Sequence, residues 1–218
     1  FSQNLKYYMD KTNAGTFLVL FSDILNFRKQ IDDSYKSYRK SIRKPVCYKA
    51  LRTWIEKTYP CKSLPNLEAD DTIGILATGE YKDKCVIISG DKDMRTIPAW
   101  HCSIIDNQIE KVDLKLADYH FCTQTLTGDQ TDGYKGCIGV GHVKASRVLN
   151  PKKDIDVNWK SVIEEFLRNK MTVEDAYHQG RLARILRHGE YTTRNNQPKL
   201  WSYKYGQYKN IGHSKKAS

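Results

Sequence analysis

Short apolar runs and amphipathic segments alternate along the first half of the chain. The runs TFLVLF (residues 16–21) and CVIIS (85–89) are rich in β-branched and aromatic residues, which predicts buried strands, and a shorter strand is predicted at 103–106. Apolar residues at helical spacing predict helices over 48–59 and 68–78. Strands that alternate with helices predict an α/β fold with a mostly parallel central sheet.

The pattern after residue 113 is helical only. Helices are predicted over 114–126 and 143–149, and Trp159 and Phe166 mark the apolar face of a further amphipathic helix. Thr172 and Asp175 resemble a capping box, which predicts the start of another helix. We therefore divide the chain into an α/β core at 1–112, a helical region at 113–202 and a basic tail at 203–218.

The composition excludes several classes of protein. The 218 residues can form one large domain or two small ones, and the 6 Phe, 4 Trp and 14 Tyr exclude a chain that is disordered throughout. The apolar runs are too short to span a bilayer, and the opening residues FSQNLKYYMD show no secretory signal, so we expect a cytoplasmic protein without a membrane partner. The six cysteines include no C-x-x-C pair, which favours free thiols in a reducing compartment over a zinc site.

The charge of the chain points to a polyanionic partner. Lys and Arg number 36 against 25 Asp and Glu, a net charge of +11, and such a balance is typical of proteins that bind nucleic acid. The segment 28–44 concentrates basic residues between tyrosines, a mixture that suits phosphates and unstacked bases. On a helix, Lys36 and Arg39 would share one face. A solvated basic surface is the alternative. The candidate nucleic-acid contacts of this segment are Arg28, Tyr35 and Lys40, and Lys36 and Arg39 are its candidate catalytic cations.

Eight carboxylates are grouped after the predicted strands and at the starts of predicted helices. The carboxyl ends of parallel strands form one crevice, so we expect these side chains to converge there. Packed carboxylates repel one another unless cations neutralise them, and a ligand set of oxygens alone suits Mg²⁺ or Mn²⁺. Two such ions can clamp the attacking and leaving oxygens of a phosphodiester. Each group taken alone also fits a helix cap or a turn. The eight are Asp23, Glu68, Asp70, Asp71, Asp91, Asp93, Asp129 and Asp132.

A glycine-rich segment, GCIGVGHVKA at 136–145, lies between two predicted helices. Gly139 and Gly141 allow a tight turn and a close approach of the backbone to a ligand. The following helix would present backbone N–H groups to a phosphate, and Lys144 and Arg147 would add positive charge. This pattern predicts a helix-hairpin-helix element that binds the DNA backbone, with a purely structural turn as the alternative.

Taken together, these segments resemble the flap endonuclease and 5′→3′ exonuclease superfamily, and in particular the short phage-encoded 5′→3′ exonucleases. The resemblance implies a PIN-like (resolvase-like) core, a helical arch and a helix-three-turn-helix element that binds duplex DNA. It also implies Mg²⁺-dependent removal of nucleotides or short pieces from DNA 5′ ends or flaps. The matching stretches are FSDILNFRKQIDDSYKSYRKSIRKPV (21–46), LEADD (67–71), IISGDKDMRTIP (87–98) and TLTGDQTDGYKGCIGVG (125–141).

Residue by residue, the resemblance implies metal-site roles for the eight carboxylates, which would hold two ions. It implies that Lys36 and Arg39 contact the scissile phosphate, and that Gly139 and Gly141 form the DNA-binding hairpin. The sequence departs from the family at one place: the family begins with a strand that ends in a D-G-D-type segment, and Asp10, the acidic residue before Thr16, lies outside any strand pattern. We therefore expect one position of the sheet to be empty.

Two alternatives stay open beside a nuclease that acts on DNA as a monomer. A relative without the first metal-site aspartate would bind DNA with impaired catalysis. A nuclease with the same core would act on RNA paired with DNA.

Overall fold

The computed structural model describes residues 1–38 and 43–203, so Arg39, Lys40 and the predicted tail from 204 onward lie outside the described residues. The helices are α1 (Ser2–Thr12), α2 (Arg28–Ile31), α3 (Tyr48–Thr58), α4 (Ala69–Ala77), a 3₁₀ helix (Lys92–Thr96), α5 (Leu114–Thr127), α6 (His142–Val148), α7 (Ile155–Arg168) and α8 (Val173–Ala183). The strands are β1 (Val19–Leu20), β2 (Cys61–Lys62), β3 (Val86–Ser89), β4 (Trp100–Ser103), β5 (Ile109–Lys111), β6 (Tyr191–Thr192) and β7 (Gln197–Pro198).

The first half is the predicted α/β arrangement, with its parallel strands in two separate sheets. Strand β1 pairs in parallel with β2, with Val19 opposite Cys61. Strand β3 pairs in parallel with β4, and β5 adds to β4 in the antiparallel direction. Within the described residues β1 and β3 do not pair, so the expectation of a single sheet is wrong for this part of the chain.

The strand predicted at 103–106 is misplaced by several residues. The structure ends β4 at Ser103, because the Ser103 hydroxyl accepts hydrogen bonds from the backbone N–H groups of Ile105 (3.2 Å) and Asp106 (3.4 Å). That local capping turns the chain toward β5. The apolar residues Ile104 and Ile105 are therefore exposed in a turn.

Helix α1 and strand β2 are among the elements that were not predicted. Helix α1 lacks a side-chain cap, but its half-buried residues Leu5, Tyr8, Met9 and Thr12 follow helical spacing, a sequence signal that could have predicted the helix. Strand β2 is two residues long and follows Pro60, in a segment predicted as a loop. A two-residue strand is defined by its partner β1 rather than by its own pattern.

The predicted helices of the second half pack around one large apolar cluster. The rings of Phe121 and Trp159 stack with centroids 5.8 Å apart, and both residues are fully buried. Gly180 on α8 lies so close to Trp159 that an added Cβ would come within 2.7 Å of the indole. Thr172 and Asp175 form the predicted capping box, with the Thr172 hydroxyl accepting from Asp175 N at 3.1 Å. In the described residues no helix is both long and apolar enough to cross a membrane.

A segment that follows α8, residues 184–188, joins the two halves. Leu186 N donates to Asp71 Oδ1 (3.1 Å), and an added Cβ on Gly74 would lie 2.3 Å from the Leu186 carbonyl oxygen. The Arg187 guanidinium donates to Asp118 Oδ1 of α5 (2.7 Å) and to the carbonyl of Thr96 (2.7 Å). The C-terminal third of the chain therefore completes the packing around α4.

Candidate active site

Five of the eight predicted carboxylates line one cleft of about 340 Å³, here called the acidic cleft. Leu182, Ala183 and Ile185 supply an apolar wall, and Arg28, Tyr35 and Tyr134 complete the lining. The expected convergence at the ends of the strands is thus observed for these five. They are Glu68, Asp70, Asp91, Asp93 and Asp132.

Local folding rules place these carboxylates. Glu68 precedes the first residue of α4 and forms a capping box with Asp71, which orients Asp70 toward the cleft. Asp91 directly follows β3 and caps the 3₁₀ helix, since its Oδ1 accepts from Asp93 N at 2.9 Å. The cap and turn interpretations of these residues are therefore correct as well, because the same side chains shape the local backbone and face the cleft.

Lys36 lies beside the acidic cleft and is a counter-ion to two of its carboxylates. Its Nζ contacts Glu68 Oε1 at 2.8 Å and Asp132 Oδ2 at 3.2 Å, and its side chain is 9% exposed. The expectation that Lys36 and Arg39 share a helical face is wrong at Lys36, which has a φ of 51°. Helix α2 ends at Ile31 because the Asp32 carboxylate accepts from Ser34 N (2.8 Å) and turns the chain.

Burial and mutual repulsion shift the pKa values of carboxyl groups in the cleft. Burial, together with the neighbouring Glu68 and Asp71 charges, raises the pKa of Asp70 to about 7. Burial and the charge of Asp91 raise the pKa of Asp93 to about 6. Burial would also raise the pKa of Glu68, but Arg28 and Lys36 outweigh it and lower that pKa. Near pH 7 the cleft therefore holds carboxylates that need additional positive charge.

The donor set of the cleft fits a hard divalent cation. Asp93 Oδ1 is buried without a hydrogen-bond partner among the described residues, and the charges that act on Asp93 include three carboxylates, Asp91, Asp129 and Asp132. Across residues 1–38 and 43–203, no group of three or more His, Cys, Asp or Glu side chains is already arranged to hold a metal ion. The carboxylates that would hold an ion are Glu68, Asp70, Asp91, Asp93 and Asp132.

The other three predicted metal ligands lie outside the cleft lining. Asp23 accepts from Ile24 N and Asn66 N (both 2.7 Å), and Asp71 is fully buried against Arg28. Asp129 accepts from Thr131 N (2.7 Å), although its charge is close enough to raise the pKa of Asp93. In this structure all three shape the backbone or pair with Arg28, and their metal roles stay predictions.

Two predicted nucleic-acid contacts, Arg28 and Tyr35, are buried within the protein. Arg28 is 2% exposed, and all five of its N–H donors are engaged, by Asp71, Glu68 and the carbonyls of Leu182 and Arg184. The Tyr35 hydroxyl lies 3.0 Å from Glu68 Oε2 and from Asp132 Oδ2, and its ring is 3% exposed. The structure contradicts both expectations, since neither side chain presents a surface to phosphate or bases.

The glycine-rich hairpin has two kinds of glycine. Gly128 (φ 67°) and Gly136 (φ 67°) cross so tightly that an added Cβ on Gly136 would lie 2.3 Å from Gly128 N. Gly139 and Gly141 have nothing within 4 Å of an added Cβ, so the space beside them is open. Open space beside backbone N–H groups suits a close approach by a phosphate.

The basic residues of the hairpin lie on α6, which follows it. Lys144 pairs with Glu165, at 2.6 Å, and keeps 41% of its side chain exposed. Arg147 is exposed one helical turn later. Both positions are compatible with the predicted DNA contacts.

Tyr134 lines the cleft but was not among the predicted site residues. Its backbone N–H and carbonyl both bond to Asp129, and burial raises its pKa well above the ordinary value. Its position two residues after Asp132 in GDQTDGY is the sequence signal that could have identified it.

Known proteins share both the sequence and the fold. A profile for the N-terminal resolvase-like domain of 5′-3′ exonucleases matches residues 1–124. The exonuclease of Escherichia phage T7 is 33% identical over an alignment of 229 positions that covers 88% of this chain and 75% of the relative.

Two solved phage T5 structures are similar in fold. A T5 protein co-crystallized with metal ions gives a TM-score of 0.61 at 17% identity, covering 83% of this chain and 80% of its own. A T5 flap endonuclease, in a pseudo-enzyme-product complex with DNA and metal ions, gives a TM-score of 0.54 at 18% identity, covering 83% of this chain and 82% of its own. With a profile match over more than half of its length and a relative this similar, the chain belongs to the 5′-3′ exonuclease family.

Proposed function

We propose that this 5′-3′ nuclease hydrolyses DNA phosphodiesters from 5′ ends and needs a divalent metal, Mg²⁺ or Mn²⁺, with two ions in the acidic cleft. The observation that supports this most is the grouping of Glu68, Asp70, Asp91, Asp93 and Asp132 around one cleft. The T5 relatives, crystallized with metal ions and with DNA, support the same chemistry.

The cleft carboxylates hold and orient the ions, and bound ions would supply charge neutralisation and acidify a water for attack on phosphorus. Asp70 and Asp93 carry raised pKa values without metal, so cation binding favours their ionised forms. The Tyr35 hydroxyl, 3.0 Å from both Glu68 and Asp132, fixes these two carboxylates relative to each other.

Lys36 is the described basic residue best placed to meet the reacting phosphate. Its ammonium already lies among the carboxylates, so it can stabilise the negative charge that develops on phosphate oxygens. Arg39, the other proposed catalytic cation, lies outside the described residues. Gly139, Gly141, Lys144 and Arg147 bind the duplex backbone and hold its 5′ end toward the cleft.

The test is release of acid-soluble nucleotides from a 5′-labelled DNA duplex, with Mg²⁺ or with a chelator. We expect release with Mg²⁺ only, and a loss of about 100-fold or more for Asp91→Asn, because asparagine keeps the cap but removes a ligand charge. The matched control Asp156→Asn, on exposed α7 surface, keeps the parental rate.

Binding measured in chelator separates the alternatives. If the protein is a nuclease, the parent and Asp91→Asn should bind DNA with equal affinity. If it is a catalytically impaired DNA-binding protein, its binding should be sensitive to salt and it should release no nucleotides at any metal concentration. Faster release from a labelled RNA–DNA hybrid than from DNA would instead favour action on RNA.

A further inference from the structure

A second charge cluster lies outside the acidic cleft, at the C-terminal end of α7. The side chain of Glu165 has no exposed surface, and its two oxygens contact Lys144 Nζ (2.6 Å) and Arg168 Nη1. Asn169 Nδ2 also donates to Glu165 Oε1 at 2.9 Å. Burial would raise the pKa of Glu165, but hydrogen bonds from Lys144 and Asn169 and the charge of Arg168 lower it, so the carboxylate is ionised. One buried anion therefore holds two cations from different helices.

This cluster lies directly against the glycine-rich hairpin. The Cys137 thiol donates to the Glu165 carbonyl at 3.7 Å, and Asn169 Nδ2 donates to Cys137 Sγ at 3.6 Å. The backbone N–H of Ile138 contacts Met171 Sδ at 3.4 Å. The end of α7 is therefore fixed to the turn that contains Gly139, and the two cations lie beside that turn.

The charges of the cluster do not cancel. Glu165 balances one positive charge of the two, and the side chains of Lys144 and Arg168 are 41% and 65% exposed. Arg168 has five N–H donors and uses one of them on Glu165. An exposed surface with surplus positive charge and oriented donors is suited to an anion with several oxygens, such as a phosphodiester.

We propose that Lys144 and Arg168 together bind the phosphodiester backbone of duplex DNA beside the hairpin, and that Glu165 is the positioning residue for both. This inference rests on the proposed function. It adds Arg168, which belongs to neither helix of the hairpin, to the DNA-binding surface. The buried carboxylate fixes the two cations in advance, so less side-chain entropy is lost when DNA binds.

The first test measures the affinity for a labelled duplex over a range of salt concentrations, in chelator so that no cleavage occurs. Arg168→Gln should weaken binding and reduce the slope of log K against log salt by about one phosphate contact. The control Lys160→Gln removes one charge from the same helix, where Lys160 pairs with Glu164, and should leave the slope unchanged. An unchanged slope for Arg168→Gln would overturn the proposal.

Glu165→Gln distinguishes positioning from net charge. Removing a negative charge should tighten DNA binding if only long-range charge matters. Loss of positioning instead predicts weaker binding and a smaller salt slope, measured below the melting temperature of the variant. Tighter binding would contradict the role of Glu165. If the parent protein itself binds no DNA, the proposed function fails. If the parent binds and cleaves DNA and the DNA affinity of Arg168→Gln is unchanged, only this inference is refuted.

Discussion

The two halves of the molecule are stabilised in different ways. Within residues 1–38 and 43–203, the helical half supplies all but Tyr35 of a cluster of 17 buried residues, whereas the clusters of the α/β half have five and three residues and each includes one residue of the segment 184–188. Each half has a buried ion pair at the boundary, Arg28 with Asp71 and Arg187 with Asp118, and each arginine also donates to a backbone carbonyl of the other half. Apolar packing therefore stabilises the helical half, while the acidic cleft lies on a junction stabilised by charge.

The difference explains why the cleft can be electrostatically frustrated without loss of the fold. A buried pair contributes little compared with an apolar replacement, but a single buried charge left alone is costly. The cleft carboxylates sit on this framework of charges, and the hairpin sits on a dense apolar core. The proposed catalytic and DNA-binding sites therefore rest on parts of the fold that differ in their sensitivity to charge.

The largest effect on stability should come from removing Arg28 from its buried ion pair with Asp71. Arg28→Met leaves the fully buried Asp71 without its bidentate partner and should lower the free energy of unfolding by about 3–5 kcal/mol. Chemical denaturation measures this. Arg52→Met, which breaks an exposed i,i+4 pair with Glu56, should cost less than about 1 kcal/mol. Equal costs would show that the junction is not stabilised by its buried charge.

The second effect is a pH dependence of the stability of the folded state, and it comes from Asp70 in the cleft. The pKa of Asp70 is raised to about 7 in the folded protein, against about 3.9 in the unfolded chain. The unfolded chain then loses this proton first as the pH rises, so the folded state is progressively destabilised between about pH 4 and pH 7. Without metal, Asp70→Asn should be more stable than the parent at pH 8, by on the order of 1–3 kcal/mol, and nearly equal at pH 4.

Denaturation curves at the two pH values measure this difference between Asp70→Asn and the parent. A constant difference at both pH values would show that Asp70 titrates normally. Asp156→Asn, in the helical half, provides the matched comparison and should show no pH-dependent difference.

The smallest effect concerns the Lys36 ammonium beside the cleft. Lys36→Met removes the cation between Glu68 and Asp132, so the affinity for Mn²⁺, measured by calorimetry without DNA, should rise about tenfold. Lys92→Met removes a charge close to Asp93 and Asp129 that is exposed to solvent, and should change the affinity by less. Equal gains from both variants would indicate a general charge effect rather than the specific pairing of Lys36 with Glu68 and Asp132.

Local signals predicted much of this molecule. The helices of the second half follow from apolar spacing, and the Thr172 capping box lies where T-x-x-D indicated. Strand β3 follows from CVIIS, and the carboxylates at its end reach the cleft as expected from parallel topology. These features depend on neighbours within a few residues or on a general rule of sheet geometry.

The parts that sequence could not supply depend on long-range partners. Arg28 is one basic residue among several in its segment, and only its ion pair with Asp71, 43 residues away in the chain, shows that its role is structural. Tyr35 is buried by the helical cluster, and Lys36 is placed by the Asp32 turn. Charge composition identifies residues that can contact phosphate, but the partners in the fold decide which of them are exposed to it.

The segment 184–188 has a consequence for synthesis of the chain. Asp71 and Gly74 emerge from the ribosome more than a hundred residues before Leu186, the residue that packs on both. Co-translational folding of the N-terminal half therefore stays incomplete until about residue 188 has been made. A messenger truncated before that point would encode a protein in which Asp71 lacks the Leu186 amide, which makes it a target for proteolytic quality control.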